Sequence, residues 1–567
     1  MVENYKKHLK ELINKEINAE RENSENEICN LKSSTQKIKG KTILNVKLRI
    51  IGKYSNNRKV KIFSSKLSDI GINIGDTILI SDSQTLHINV TGTVKTVDDS
   101  FIIVVEVGKL IDKIDFDNCR IDVLVKNIIY NRQLKNLENP RCDKIIRLLL
   151  GNSVLELDND VRNVTFFDYS LNQDQRNAIV KCLNCGNFSL IHGPFGTGKT
   201  KTLIELIKQE VNQGHKVLVT AESNTAIDKL GENLIDSEIN MTRIGNSRKF
   251  SDKMKNYSLE NKHQDYVGDS GSNISQQMID FEIIQNSQVI LATNSSAAMD
   301  VISNINFDVA IVDEATQATI PSVLIPISKA NRFILAGDHK QLPPTIKSND
   351  NGLKKTLFEK LLEKFLQQVS MLKKQYRMNN VLMSFPNKEF YDNKLICDES
   401  VKNIKLDKIN YKYDDENALI FIDTSLIKSN DDYSHDNSKS YINKTEANIA
   451  ADFANAFLNS GLNKHMIGII TNYSGQVKLI KTKTEVRVES VDGFQGGEKE
   501  VIIISNVRSN DDGNIGFLDE PRRLNVALTR AKKKLIIIGD SNTLCSKHMF
   551  KRLFDFCKKN GVVIQVK

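Results

Sequence analysis

The period of apolar and polar positions changes several times along the chain. Over residues 3–20, Leu9, Leu12, Ile13 and Ile17 recur at helical spacing among Lys and Glu, which predicts one amphipathic helix. Between 41 and 130 the runs become short and rich in Ile and Val (KTILNVKLRI, GDTILIS, SFIIVVEV). Gly, Asn and Asp turns part these runs, and the spacing predicts a small β-barrel or sandwich. Residues 131–170, with Pro140 and Gly151, read as helical and then irregular, a connector. From 171 onward, FSLIHG, KVLVTA, QVILAT, VAIVDE and RFILAGD alternate with helical stretches. A second series, ALIFIDT, MIGIITN, EVIIISN and KLIIIGD, begins near 418. Such alternation implies βαβ units and parallel sheets. The expected organisation is a stalk helix (1–40), a β-barrel accessory domain (41–130), the connector (131–170) and two tandem α/β domains (171–350 and 351–567). The polar, Gly/Ser-rich stretch 262–275 predicts an exposed loop.

Composition narrows the class. At 567 residues with 40% hydrophobic and 26% charged positions, the chain reads as an ordinary globular protein, which excludes a disordered tail, a collagen-like rod and a small disulfide scaffold. No apolar run reaches the roughly 18 residues of a membrane span. The start, MVENYKKHLKELINKEINAE, has no apolar signal core and argues against secretion. Eight cysteines are too few for a disulfide framework and point to a reducing compartment. The expectation is an intracellular, cytoplasmic protein (nuclear as well, in a eukaryote) with no membrane partner. The net charge of +9 is concentrated: residues 521–567 hold 12 Lys/Arg against Asp540 and Asp555, a local +10, so the other 520 residues total −1. Net charge therefore says little about the partner.

The chemistry begins at GPFGTGKT, Gly193 to Thr200, which follows the apolar run FSLIHG and precedes the helical TKTLIELIKQE. Strand, G-x-x-x-x-G-K-T loop and helix in that order make a phosphate site: backbone N–H groups of Gly193, Pro194–Phe195, Gly196, Thr197 and Gly198 curl around phosphate oxygens at a helix N-terminus. Proline contributes its shape rather than an N–H. Lys199 should reach the β- and γ-phosphates and the Thr200 hydroxyl should ligate Mg²⁺. In FDVAIVDEATQA, the apolar run Val309 to Val312 brings Asp313 and Glu314 to a strand end. There Asp313 would hold Mg²⁺, and Glu314 would orient or deprotonate the attacking water. Gln341, just past RFILAGD, is placed as a γ-phosphate sensor. QYRM and RRLNVALTRAK supply arginines that could neutralise charge on a transferred phosphoryl group.

GPFGTGKT, VDEATQA, LAGDHKQLPPT, QYRM, VESVDGFQGGEKEVIIIS and RRLNVALTRAK together resemble the ordered motifs of superfamily 1B helicases, and more closely the immunoglobulin-mu-binding type than the nonsense-mediated-decay type. The resemblance extends over nearly the whole chain, including GINIGD and NRQLKNL in and after the barrel. It implies two RecA-like P-loop NTPase domains and a probe of adenine by Gln175 and Tyr376. It also implies a nucleotide contact from Glu498, and Arg377 and Arg530 reaching the γ-phosphate across the interdomain cleft. Nucleic acid would run over Ser223, Asn224, Thr293, Asn294, Thr471, Tyr473 and Ser490, mostly through its backbone, which makes binding salt-dependent and largely sequence-blind. The implied enzyme is an ATP-dependent 5′-to-3′ helicase or translocase on single-stranded or tailed DNA or RNA, using ATP and Mg²⁺ and acting as a monomeric motor. Two departures stand out: Glu222 and Asn472 occupy positions where relatives carry proline, and Glu222 would put a carboxylate near the strand path. The insert at about 245–286 is short and expected to be helical.

Other readings were weighed. Identical motifs would serve an ATP-gated clamp or ribonucleoprotein remodeller that unwinds poorly. A small-molecule kinase has no use for the second motor lobe. Cys182 and Cys185 lack the two further ligands of a zinc site. His192 and His339 flank motifs as polar neighbours rather than catalysts. The N-terminal helix is expected to pack on the barrel.

Overall fold

The computed structural model describes residues 1–30, 42–54, 57–67, 72–82, 89–98, 100–151, 164–270, 275–406, 417–427, 432–433 and 440–567. Residues 31–40 of the expected stalk and part of the expected connector lie outside these.

Six antiparallel strands form a closed barrel: β1 (Thr42–Tyr54), β2 (Asn57–Phe63), β3 (Thr77–Asp82), β4 (Asn89–Val97), β5 (Phe101–Val107) and β6 (Cys119–Val125), in the order β1-β2-β5-β4-β3-β6. Alternation drives it: along β1, Val46 and Leu48 point inward while Lys47 and Arg49 face out. Val60, Ile62, Ile78, Ile80, Val104 and Ile121 complete the interior. Closure removes unpaired strand edges, so the barrel stands as an accessory body.

The first parallel sheet runs β13-β7-β12-β11-β8-β10-β9, built from β7 (Phe188–His192), β8 (Val217–Ala221), β9 (Met241–Arg243), β10 (Val289–Thr293), β11 (Phe307–Asp313), β12 (Ala330–Gly337) and β13 (Val369–Met371). Two short parallel strands follow, β14 (Lys374–Gln375) and β15 (Ile396–Cys397). The second parallel sheet takes β16 (Leu419–Asp423), β19 (Ile467–Thr471), β20 (Arg487–Ser490), β21 (Lys499–Ser505), β22 (Ala531–Gly539) and β23 (Val562–Gln565), in the order β20-β19-β21-β22-β16-β23. Between them β17 (Asp432–Tyr433) and β18 (Tyr441–Ile442) form an antiparallel pair. Both large sheets are covered on their two faces, which explains why their strands read as unbroken apolar runs.

Three expectations need correction. The boundary expected at 350/351 is crossed: β13 pairs with β7 (Val369↔Leu190, Met371↔His192), so the first sheet takes its edge strand from further along the chain. A three-residue strand carries too little pattern to be seen in sequence. Most of the stretch expected as an exposed loop at 262–275 is helical, within Leu259–Ser270. It packs against the helix Gln276–Asn286 through His263 Nδ1 to Asp280 (2.8 Å) and Tyr266 Oη to Glu282 (2.8 Å). Polar cross-helix pairs replace the apolar stripe whose absence suggested a loop, and the Gly and Ser residues fall at and after the helix end.

The third correction concerns the N-terminal helix, Val2–Asn30. Its far part meets the barrel, where Ile28 packs with Leu79, Leu124 and Val125. Its first half is instead docked on the first α/β domain: Leu9 and Ile13 share a core with Leu137, Ile146, Phe188 and Leu190, and Lys6 pairs with Asp143. The buried Glu16 carboxylate accepts the backbone N–H groups of Lys347 (2.6 Å) and Ser348 (2.9 Å). Glu16→Ala strands both donors and should cost about 1–3 kcal/mol, read as a lower thermal unfolding midpoint, with Glu16→Gln recovering part of the loss.

Candidate active site

The loop after β7 can follow its path because Gly196 and Gly198 take left-handed φ values of +67° and +78°. A Cβ at Gly196 would lie 2.5 Å from the Arg377 Cβ, and one at Gly198 2.4 Å from Gln175 Nε2, so only glycine allows these approaches. The Thr197 hydroxyl donates to Pro194 O (2.7 Å), and the helix Lys199–Asn212 opens at the loop's end with its N–H groups facing the cleft.

Lys199 is the centre of charge. Its Nζ lies 2.9 Å from Asp313 Oδ1 and 2.7 Å from Glu314 Oε1. Burial works against the ammonium charge, but the two carboxylates outweigh it and raise its pKa. Glu314 sits at φ +51°, an uncommon backbone for a residue with a side chain, and its other oxygen accepts Gln317 Nε2 (2.7 Å). With the Thr200 hydroxyl at the helix start, Asp313 gives a hard-oxygen donor set of the kind that holds Mg²⁺, at a place where the protein already balances a cation.

Across the cleft stand residues of the second domain. Tyr376 N donates to Gly196 O (2.8 Å), and the Tyr376 ring is 38% exposed at the cleft mouth. Arg377 Nε donates to Glu498 Oε2 (2.6 Å) and its Nη1 to Thr529 O (3.1 Å). Arg530 is buried and donates to Val526 O, Gly497 O and Thr529 Oγ1. No carboxylate among the described residues makes a salt bridge with it, and burial, with Arg377 nearby, pulls its pKa down to about 9. Its hydrogen-bond partners are all neutral, and the nearby Glu314 and Glu498 carboxylates only partly offset the cost of burying its charge. Gly193–Lys201, Glu314, Gln341, Tyr376, Arg377, Glu498 and Arg530 line one cleft of about 580 Å³.

Gln175 is placed differently from expectation. Its side-chain oxygen accepts Asn172 N (2.9 Å) and its Nε2 donates to Thr197 O (3.1 Å), so it braces the phosphate loop and is not among the cleft-lining residues. Reading adenine would require it to exchange a partner.

A hub beneath Gln341 has no counterpart in the sequence reading. Asp338 Oδ2 accepts Gln341 Nε2 (2.9 Å) and the Tyr391 hydroxyl (2.7 Å); Oδ1 accepts Lys340 N (3.1 Å) and lies 3.1 Å from His192 Nε2. Burial opposes its charge, but these partners hold it below the usual carboxylate range. Tyr391 also accepts Asn525 Nδ2 (2.9 Å), which reaches Lys340 O (2.8 Å), and Asn525 lies on the helix Pro521–Leu528 that leads into Arg530. The Tyr391 ring meets Phe195 edge-on at 5.6 Å. Burial beside His192 pushes His339 down to about 3, so it stays neutral. Because Tyr391 lies outside every motif, only its place between two apolar runs hinted at burial.

The expected nucleic-acid residues gather at the carboxyl ends of other strands: Ser223 and Asn224 after β8, Thr293 and Asn294 at β10, Thr471 and Tyr473 at β19, Ser490 at β20. Ser223 caps the helix Asn224–Glu232, accepting Ala226 N, while Asn224 accepts Arg243 Nη2 (2.8 Å). The Glu222 carboxylate does not project into the path: it accepts Asn294 Nδ2 (3.0 Å) and Ser322 Oγ (2.6 Å), and its desolvation raises its pKa. The Ser490 hydroxyl accepts Gly493 N (3.2 Å). Tyr473 is buried, and so offers no open ring face. Cys182 and Cys185 are buried in the first domain's core, with Cys185 donating to Cys182 O (3.1 Å).

Comparison with known proteins agrees with this geometry. Two AAA domain family models match, one over residues 170–281 and 268–349 and the other over 353–542. An uncharacterised ATP-dependent helicase of Methanocaldococcus jannaschii is 34% identical over 98% of this chain and 96% of its own length. DNA polymerase alpha-associated DNA helicase A of Schizosaccharomyces pombe is 32% identical over 81% of this chain and 76% of its own. DNA-binding protein SMUBP-2 of Rattus norvegicus is 31% identical over 86% of this chain and 56% of its own. No helix among the described residues is long and apolar enough to cross a membrane.

Tyr391→Phe keeps the ring and deletes the hydroxyl that joins Asp338 to Asn525. It should cost about 1.5–3 kcal/mol in denaturant unfolding, as expected for a hydrogen bond to a charged group; a cost below about 0.5 kcal/mol would show that the bridge carries no net stabilisation.

Proposed function

The chain belongs to the superfamily 1 helicases that carry these paired AAA domains and is an ATP-hydrolysing nucleic-acid helicase, and we propose that it is a 5′-to-3′ motor on single-stranded or 5′-tailed DNA, with RNA as a second track. The observation that carries the reading is the cleft itself: Lys199 and Glu314 from one domain and Arg377 and Arg530 from the other line a single cleft, and Asp313 pairs with Lys199 there. The DNA-helicase relatives favour DNA, and the likeness to the immunoglobulin-mu-binding type supports the direction.

In this proposal the residues act as follows. The phosphate loop N–H groups and Lys199 bind the β- and γ-phosphates. When ATP enters, Lys199 exchanges its carboxylate partners for phosphate oxygens, which frees Asp313, with Thr200, to hold Mg²⁺. Mg²⁺ held by Thr200 and Asp313 would supply charge neutralisation to the phosphates. Glu314, released from Lys199, positions the attacking water and accepts its proton. Gln341, anchored on Asp338, contacts the γ-phosphate side. Arg377 and Arg530 turn toward the phosphoryl group and stabilise its charge in transfer. Their reach needs the two domains drawn together, so loss of the γ-phosphate lets the domains part. Alternating grip on a strand that crosses both sheets' carboxyl ends then yields directed steps.

ATP turnover should rise several-fold on adding single-stranded oligonucleotide, and a 5′-tailed duplex should be unwound where a 3′-tailed one is not. Turnover indifferent to strand would overturn the motor reading; preference for the 3′ tail would overturn the direction. Lys199→Ala should abolish hydrolysis, and Glu314→Gln should bind ATP but turn over slowly, with normal turnover refuting the role of Glu314. Arg530→Ala should lower kcat by roughly 10³-fold or more.

A further inference from the structure

Resting on the motor reading above, we infer that Phe517 is a stacking platform for an unpaired base on the second domain's strand face. Phe517 is 69% exposed, a large apolar side chain left in water. It is the outer member of three rings in contact: Tyr441 meets Tyr473 edge-on at 5.6 Å, and Tyr473 meets Phe517 at 6.1 Å with planes tilted 48°. Tyr473 is buried and Tyr441 half-buried, and the Arg508 guanidinium closes the run 4.1 Å from the Tyr441 ring. Phe517 is thus held on one side by the Tyr473 ring, with most of its surface left in water.

The backbone is shaped to place this ring. Gly516 takes φ +54°, and a Cβ there would lie 2.9 Å from Arg508 Nη1 and 3.0 Å from the Tyr473 hydroxyl oxygen, so the turn that presents Phe517 comes in as close as a glycine permits. Val507 is held at φ +71°, rare for a β-branched residue, by its N–H donating to Glu446 Oε2 (2.8 Å), and it directs the adjoining Arg508 under the rings. Two residues before Tyr473, at the end of β19, Thr471 is fully buried, so the ring cluster sits directly over a closed strand end.

The ligand class follows from the chemistry. Every base has a π face, and stacking on an aromatic side chain contributes about 1–3 kcal/mol per base without regard to sequence. Asp511 and Asp512, exposed in the same loop, make this a poor place for phosphate, so what Phe517 offers is stacking and not charge. The ring touches the base and not the sugar, so DNA and RNA are served alike.

The experiment measures affinity of the full chain for oligo-dT and oligo-U across a salt series, with 2-aminopurine in the strand as a stacking reporter. Phe517→Ala and Phe517→Leu should each bind both oligonucleotides about tenfold more weakly and lose the 2-aminopurine quench, while Phe517→Trp keeps both. The slope of log affinity against log salt should not change, because no phosphate contact is removed. Wild-type affinity in Phe517→Ala, or in Phe517→Leu, would overturn the platform while leaving the motor reading intact. A wild type that binds neither oligonucleotide would overturn the motor reading and this inference together.

Discussion

A lysine ammonium held between two carboxylates sets the terms for the rest of the molecule. The Lys199 side chain is largely withdrawn from water, and a cation so placed is tolerated only where opposite charge or strong acceptors surround it. Asp313 and Glu314 meet that need from the end of β11, the strand two places from β7 in the sheet, with β12 between them. The parallel sheet is what makes the triad possible, because it brings the carboxyl ends of β7, β11 and β12 to one edge. In the proposed mechanism the triad is also the switch: the groups that compensate one another here are those that would separate to grip phosphate, cation and water.

The second domain is tied to that switch by a short polar chain with an apolar jacket. Phe195, in the phosphate loop, is counted in the same core as Met378, Phe385, Tyr391 and Leu528 of the second domain. Within it, Gln341, Asp338, Tyr391 and Asn525 form a continuous line of hydrogen bonds from Gln341, the expected phosphate sensor, to the helix Pro521–Leu528 that leads into Arg530. Low dielectric makes such a line strong when complete and costly when broken. A movement of Gln341 toward a γ-phosphate therefore has a mechanical path to the arginine helix, and Arg522 donating to Glu359 (2.7 Å) gives a further brace across the same boundary.

What could be read in the sequence was local. The phosphate loop needs contiguous residues, and Asp313 and Glu314 follow directly from the apolar run before them, so both were legible, as were the alternating strands of the two sheets. What was not legible depended on distant parts. Tyr391 and Asn525 lie 134 positions apart and meet only because the helix Asn380–Phe390 packs against Pro521–Leu528 within the second domain. Glu16 finds its backbone partners 331 and 332 residues away. Gln175 was legible as a site residue but not as a brace, since its amide's partners are set by helix capping and loop curvature together. Tyr473 was legible as an aromatic at a strand end, but not as a buried one, since its neighbours Tyr441, Ile515 and Phe517 lie 32 to 44 positions away.

The two departures from proline show how a fold absorbs a change that sequence alone makes look disruptive. A carboxylate on the expected strand path would repel a polyanion. Here the Glu222 carboxylate turns inward to Asn294 and Ser322, and its raised pKa marks a group whose charge is disfavoured where it sits. The same contact orients Asn294, an expected strand contact, and ties the ends of β8 and β10 to each other. Rigidity that proline would give through its ring is thus supplied through hydrogen bonds. Asn472 lies between Thr471 and Tyr473, and its side-chain oxygen, like the Thr471 hydroxyl, is buried without a partner in the protein. On the first domain the departure is satisfied from within; on the second the Asn472 side-chain oxygen stays unpaired among the described residues, so the same kind of change is absorbed in one domain and carried as a cost in the other.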